Sequence, residues 1–227
     1  MRLHGLQKLT LLDFPEHVAC TVFTAGCNLR CPFCHNALLV TDIQQEDAIP
    51  EDEFFSFLEK RKGLLEGVAV TGGEPLMQPD LGDFLRRIRK MGFAVKLDTN
   101  GTLPGRLAPL LAEGLVDYVA MDVKNVPEKY AGTVGLPRFD TAPIRESMAL
   151  LDPLEGVKVA AAFVMVDRKE KGQGEKSAVQ EVEAAFGFPV YSIATVYDIL
   201  EYLSEDPRNE EHIARIQAYL AVNGAKA

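Results

Sequence analysis

The sequence is short of several things, and each shortage removes a class of protein. No apolar run approaches the ~20 residues that a membrane-spanning helix requires. The N-terminus, MRLHGLQKLTLLDFPEH, has neither the long apolar stretch nor the small-residue cleavage site of a secretory signal, so a cytoplasmic protein is expected. Positive charge is in deficit: 24 Lys and Arg against 33 Asp and Glu leave a net charge of −9. That balance argues against general binding to a nucleic-acid backbone, while leaving room for a local basic patch. There is no internal repeat and no low-complexity tract. Cysteine is scarce, and all four residues (Cys20, Cys27, Cys31 and Cys34) fall within fifteen positions. A disulfide scaffold would spread them along the chain. In a reducing compartment such a cluster reads as metal binding or redox chemistry.

What is present is a globular composition: 227 residues, 47% hydrophobic and 25% charged. This suits one medium domain, or one with a small appendage, able to bury a core without staples. Short apolar runs bounded by turn residues predict buried parallel strands at Val18–Phe23, Val68–Thr71, Ala94–Leu97, Tyr118–Met121, Val157–Val166 and Val190–Ile193. Between them lie helical stripes: Phe54, Phe57, Leu58 and Arg61; Leu81, Phe84, Leu85 and Ile88; Ala178, Val182, Ala185 and Phe186; Ile213, Ile216 and Leu220. Strand–helix alternation implies right-handed βαβ units around a parallel sheet, either open or curled into a partial barrel. Thr41–Pro50 reads as a loop running into a helix start at Pro50-Glu51-Asp52, and Asp167–Lys176 as a long charged connection.

Cys27, Cys31 and Cys34 have the spacing C-x3-C-x2-C directly after the first predicted strand. Three thiolates from one short loop suit a [4Fe–4S] cluster, and three cysteines for four irons leave one iron open to a substrate or cofactor. Structural zinc would want a fourth ligand. His35 is the available one, but its adjacency to Cys34 makes joint ligation awkward. Cys20 lies inside the strand HVACTVF and reads as a small buried hydrophobe. Three further motifs end the next three predicted strands: Thr71-Gly72-Gly73-Glu74-Pro75, Leu97-Asp98-Thr99-Asn100-Gly101 and Met121-Asp122-Val123-Lys124. Glycines let backbone approach a ligand closely, and Glu74 can accept from an ammonium group. The plain alternatives are a Gly-rich turn with a helix-starting proline, and aspartates that cap helices or turns. Ligand groups of α/β sheets and barrels sit at strand C-terminal ends, so Cys27, Glu74, Asp98 and Asp122 are expected to face one mouth.

The stretch FTAGCNLRCPFCHN resembles the cluster loop of the radical S-adenosylmethionine superfamily, with the aromatic Phe33 and the pair His35-Asn36 typical of it. More narrowly it resembles the activating proteins of glycyl radical enzymes, including those of anaerobic ribonucleoside-triphosphate reductase. The opening GLQKLTLLDFPEHVACTVFTAGC is similar to the latter group through almost every position. The resemblance implies a parallel-stranded partial (β/α)6 barrel in which Cys27, Cys31 and Cys34 hold a catalytic [4Fe–4S] cluster. It implies that Phe33, Gly72, Gly73, Glu74, Asp98, Thr99, Asn100, Asp122 and Lys124 bind S-adenosylmethionine. The TGGEP stretch would meet the methionyl amino group, and Lys124 the carboxylate. Asp98, Thr99 and Asp122 would help hold a monovalent cation. The implied reaction is one-electron cleavage of the cofactor's S–C5′ bond to methionine and a 5′-deoxyadenosyl radical. That radical abstracts hydrogen from a glycine of a partner such as anaerobic ribonucleoside-triphosphate reductase. A flavodoxin or ferredoxin would be the reductant. Neither nucleic acid nor membrane is an implied partner.

Farther along, VAAAFVMVDRKEKGQGEKSAVQEVEAAFGFPVYSIATVYDILEYL resembles the C-terminal part of orotate phosphoribosyltransferases, beginning as early as Ile144-Arg145-Glu146-Ser147-Met148. The expected organisation is therefore a cluster-bearing core over 1–150 and a βαβα segment over 151–227 that completes the same sheet. Arg168 maps to an orotate contact of that family. The phosphate-binding loop should precede the Ile-Arg-Glu-Ser string, but Gly135–Pro143 has neither paired acids nor a Gly-rich turn. Transferase activity is not expected, and Arg168 reads as a solvated loop residue. The competing readings are a hybrid or truncated protein with a transferase-like part, and a cluster-binding fusion without catalysis.

Overall fold

The computed structural model describes residues 1–44, 48–151, 158–161, 181–182, 184–186, 210 and 213–214. Among the described residues six strands form one sheet in the order β1-β2-β3-β4-β5-β6: β1 (Leu3–Thr10), β2 (Ala19–Thr24), β3 (Gly67–Gly72), β4 (Ala94–Thr99), β5 (Tyr118–Met121) and β6 (Lys158–Ala161). The edge strand β1 runs antiparallel to β2, and every other neighbouring pair is parallel. This is the expected α/β sheet of a partial barrel. Consecutive parallel neighbours force each connection to cross over the sheet, and the helices do this.

The central strands are short because their apolar runs are short. Cys20 and Val22, Val68 to Val70, Val95 and Leu97, and Val119 are all fully buried. Burial on both faces matches their lack of polar alternation. The covering helices are α1 (Leu38–Thr41), α2 (Glu51–Glu59), α3 (Leu81–Lys90), α4 (Pro104–Ala112), α5 (Pro127–Thr133) and α6 (Ala142–Leu151). In α3 the predicted stripe Leu81, Phe84, Leu85 and Ile88 is the buried face. In α2 the buried face is Phe54, Phe55 and Leu58, with Phe57 only partly covered and Arg61 beyond the helix. Phe54 stacks on Phe84 at 5.3 Å, and the Arg87 guanidinium lies 3.7 Å over the Phe55 ring. Each such buried ring contributes roughly 1.5–3 kcal/mol.

The structure departs from expectation at the N-terminal edge of the sheet. β1 was not predicted, and it adds an antiparallel edge before the first expected strand. On the other side, the predicted strand Val157–Val166 is present as Lys158–Ala161, paired in register with Tyr118–Met121. The remainder of that strand, Val190–Ile193 and the loop with Arg168 lie outside the described residues. Of the Ala178–Phe186 stripe, residues 181–182 and 184–186 are helical and Val182 is buried. Arg145 of α6 donates to the Ala185 carbonyl at 2.9 Å and stacks over Phe186 at 4.8 Å. Of the last stripe, Ile213 is helical, and Ile216 and Leu220 lie outside the described residues. Among the described residues no helix is long and apolar enough to cross a membrane.

Candidate functional site

The four motifs follow β2, β3, β4 and β5, so parallel pairing brings their C-terminal ends side by side. The cysteine loop leaves β2 after Thr24 and is pinned through its backbone. Gly26 N–H donates to the Leu39 carbonyl at 2.8 Å, and Arg30 N–H to the Val134 carbonyl at 2.9 Å. The Arg30 guanidinium closes the loop on the carbonyls of Cys27 (2.6 Å) and Leu29 (2.7 Å). The Gly72-Gly73 turn lies directly against this loop. Gly73 N–H donates to Thr24 O and Glu74 N–H to Gly26 O, both at 2.8 Å. A Cβ on Gly73 would stand 2.0 Å from Gly26 O, and one on Gly72 (φ +112°) 2.4 Å from the Thr24 backbone. The glycines therefore permit a close approach to the chain's own cysteine loop.

A cavity of about 470 Å³ opens at these strand ends. Cys27, Cys31, Phe33, Cys34, Gly72, Gly73, Asp98, Thr99, Asn100, Asp122 and Lys124 all line it, and His35 joins them. Its volume falls in the range of small-molecule sites. Two N–H groups point at the sulfur of Cys27: Leu29 N at 3.4 Å and Asn100 Nδ2 at 3.7 Å. Burial pushes the thiol of Cys27 up to about 11 and that of Cys31 up to about 12. Burial, with Lys124 adding to it, lowers the imidazole of His35. Cys20 stays apart: fully buried in β2, off the cavity, its thiol pushed up to about 12 by burial.

Glu74 is the site residue that does not line the cavity. It is fully buried, and Thr99 Oγ1 (2.8 Å) and Leu76 N–H (3.1 Å) donate to its Oε1, Asn100 N–H (2.7 Å) to its Oε2. Burial raises its carboxyl to about 7 despite those three donors. The carboxylate thus ties the end of β3 to the end of β4. Thr99 is committed in the same way, its hydroxyl also accepting from Gly101 N–H at 3.1 Å. Asp98 and Asp122 each carry a lysine partner, Lys96 and Lys124 respectively. Burial raises the carboxyl of Asp98, with Lys96 opposing the shift. Burial lowers the ammonium of Lys124, but the Asp122 carboxylate together with the Cys31 and Cys34 sulfurs more than offsets it, so the group is raised.

The residues fit an iron–sulfur cluster. Three thiols from one anchored loop face a single cavity, and the N–H donors on the Cys27 sulfur are of the kind that stabilise a cluster thiolate. Their raised proton affinity means that metal binding must displace protons. Among the described residues no three His, Cys, Asp or Glu converge as a single-ion site. A cubane does not ask for that, because each thiolate takes a different iron.

Several residues of the quoted motifs also brace the strand ends, a role that the motifs alone do not announce. Asn36 donates to Gly72 O at 3.0 Å and Asn100 to Asn28 Oδ1 at 3.0 Å, while buried Ser147 of α6 donates to Gly101 O at 2.8 Å. Lys96 had a signal: a lysine inside the apolar run AVKLDT, two residues from Asp98 and so on the same strand face.

A family model described as the radical SAM superfamily matches residues 21–154. A Methanocaldococcus jannaschii protein provisionally named a glycyl-radical enzyme activating enzyme is 34% identical over 127 residues, 56% of this chain and 51% of that protein. The C-terminal region is similar to orotate phosphoribosyltransferase. The Pseudomonas fluorescens protein of that name is 42% identical over 81 residues, covering 36% of this chain and 38% of the transferase. The chain thus spans about half the length of the first curated relative, and less of the second. Among solved structures, Streptococcus suis SuiB bound to the precursor peptide SuiA aligns with a TM-score of 0.55 at 16% identity, covering 89% of this chain and 46% of that one. That likeness is one of fold.

Proposed function

The chain belongs to the radical SAM superfamily, and on that premise we propose that it is an activating enzyme that cleaves S-adenosylmethionine reductively and installs a glycyl radical on a partner protein. The observation that carries this reading is the meeting of four strand-end motifs around one cavity. The name of the archaeal relative supports the activase assignment.

In this reading Cys27, Cys31 and Cys34 hold a [4Fe–4S] cluster. When bound, the cluster supplies one electron and an open coordination position for the amine and carboxylate of S-adenosylmethionine. The chain's own work is positioning and exclusion of water and oxygen. Asn100 and the Leu29 amide stabilise the Cys27 thiolate. Lys124, with three donors, can serve Asp122 and the cofactor carboxylate together. The Gly72-Gly73 edge offers backbone to the methionyl ammonium, and Phe33 walls the cavity. Glu74 acts through the turn it holds, as a positioning residue. Residues 1–150 form the core, and 151–227 continue the same sheet through β6. The partner would be a glycyl radical enzyme such as anaerobic ribonucleoside-triphosphate reductase, the electron source a flavodoxin or ferredoxin, and the setting a reducing cytoplasm.

The test is electron paramagnetic resonance. Anaerobically reconstituted protein, reduced and mixed with S-adenosylmethionine and the reductase, should produce a glycyl radical signal on the reductase. No signal, with cluster and cofactor both present, would sink the activase assignment. The C-terminal likeness to orotate phosphoribosyltransferase favours one second reading, a cluster-binding chain whose C-terminal part serves docking alone. Transferase activity is not expected, since Gly135–Pro143 lacks the acids and glycines of a phosphate loop.

A further inference from the structure

Asp98 and Asp122 end the neighbouring strands β4 and β5, and both line the cavity. They are near enough for Asp122 to oppose the ionisation of Asp98. Two half-buried carboxylates facing one cavity are stabilised by compensating positive charges close to them. A monovalent metal ion is one way to supply such a charge. Here the chain supplies both itself: the Lys96 ammonium pairs with Asp98 and the Lys124 ammonium with Asp122.

Lys96 is built into the wall. It lies on β4 two residues before Asp98, so the strand's two-residue period puts both side chains on the cavity face. It is only 7% exposed. The Thr71 hydroxyl also bonds to Asp98, and Asp13, the remaining carboxylate on the cavity, is occupied by Thr21 Oγ1 at 2.5 Å. An ammonium tethered two residues away is present at high effective concentration and forfeits no translational freedom on pairing. A dissolved ion must overcome both advantages and shed its own water.

We propose that the Lys96 ammonium takes the place of a monovalent metal ion at Asp98, so that this wall of the cavity is charge-balanced by the chain. Lys96 is then a positioning residue that acts through Asp98. This inference concerns the wall alone and does not rest on the reaction assigned above.

The test compares melting temperatures of the full chain in potassium, sodium and choline chloride at equal ionic strength. The wild type should melt at the same temperature in all three. A rise specific to potassium or sodium would overturn the proposal. Lys96→Met should melt lower, and should recover several degrees in potassium or sodium but not in choline. A Lys96→Met protein indifferent to the cation would also overturn it. If Lys96→Met does not fold, the double variant Lys96→Met/Asp98→Asn, which removes both charges, should fold and ignore the cation. Failure of the double variant would show that Lys96 acts by packing, and would end the proposal.

Discussion

Glu74 and Asp98 look alike in the sequence: each is an acid in a motif that ends a parallel strand. The fold treats them differently. Glu74 turns behind the cavity and spends both oxygens on Thr99, Leu76 and Asn100. Asp98 stays on the cavity wall and faces Lys96. A motif therefore tells which strand ends meet, but not which of its side chains touch the contents of the space between them. The β3–β4 junction is a backbone brace, and the β4–β5 junction is a charged wall. The cysteine loop rests on the brace, and in the proposed function the cofactor would rest on the wall.

The sharpest break comes from the cysteines. Cys27→Ala, Cys31→Ala and Cys34→Ala should each abolish the ~400 nm absorption of a reconstituted cluster and with it all cofactor cleavage. An ultraviolet–visible spectrum retaining the full band would contradict the ligand assignment. Next is the brace itself. Gly73→Ala forces a Cβ to 2.0 Å from Gly26 O. It should cost roughly 3–5 kcal/mol in denaturant unfolding, or prevent folding. A loss below about 1 kcal/mol would show that the turn is not pressed on the loop.

Glu74 gives a prediction in pH. Its folded carboxyl titrates at about 7, above the ordinary 4.5. The folded state thus holds the proton more tightly. The associated stability is fully present below pH 4.5 and is lost as pH rises through 7, by at most about 3 kcal/mol. Denaturation midpoints across this window should fall in the wild type and flatten in Glu74→Gln. Identical slopes would place Glu74 in a more polar setting than the brace provides. The wall responds most gently: Lys124→Met should weaken binding of S-adenosylmethionine about tenfold, or ~1.4 kcal/mol. Calorimetry on the reconstituted protein showing unchanged affinity would remove Lys124 from the carboxylate.

Much of the central sheet could be read from the chain. Val68–Thr71, Ala94–Leu97 and Tyr118–Met121 are continuous apolar runs because those strands are buried on both faces. β1 escaped because an edge strand needs no such run, and LHGLQKLT breaks its alternation with Gly5, Gln7 and Lys8. The buried face of α2 shifted from Phe57 to Phe55 because three phenylalanines within four positions leave the phase of the stripe open. The site was legible in its strand ends, since topology alone gathers them. The inward turn of Glu74 and the pairing of Lys96 with Asp98 were not, because they depend on side-chain directions that a motif does not encode.

The most direct test is product formation. The protein is reconstituted anaerobically with iron and sulfide, reduced with dithionite and given S-adenosylmethionine. It should release 5′-deoxyadenosine and methionine in equal amounts, and the Cys31→Ala protein should release neither. An intact cluster that leaves the cofactor uncleaved would contradict the account at its centre.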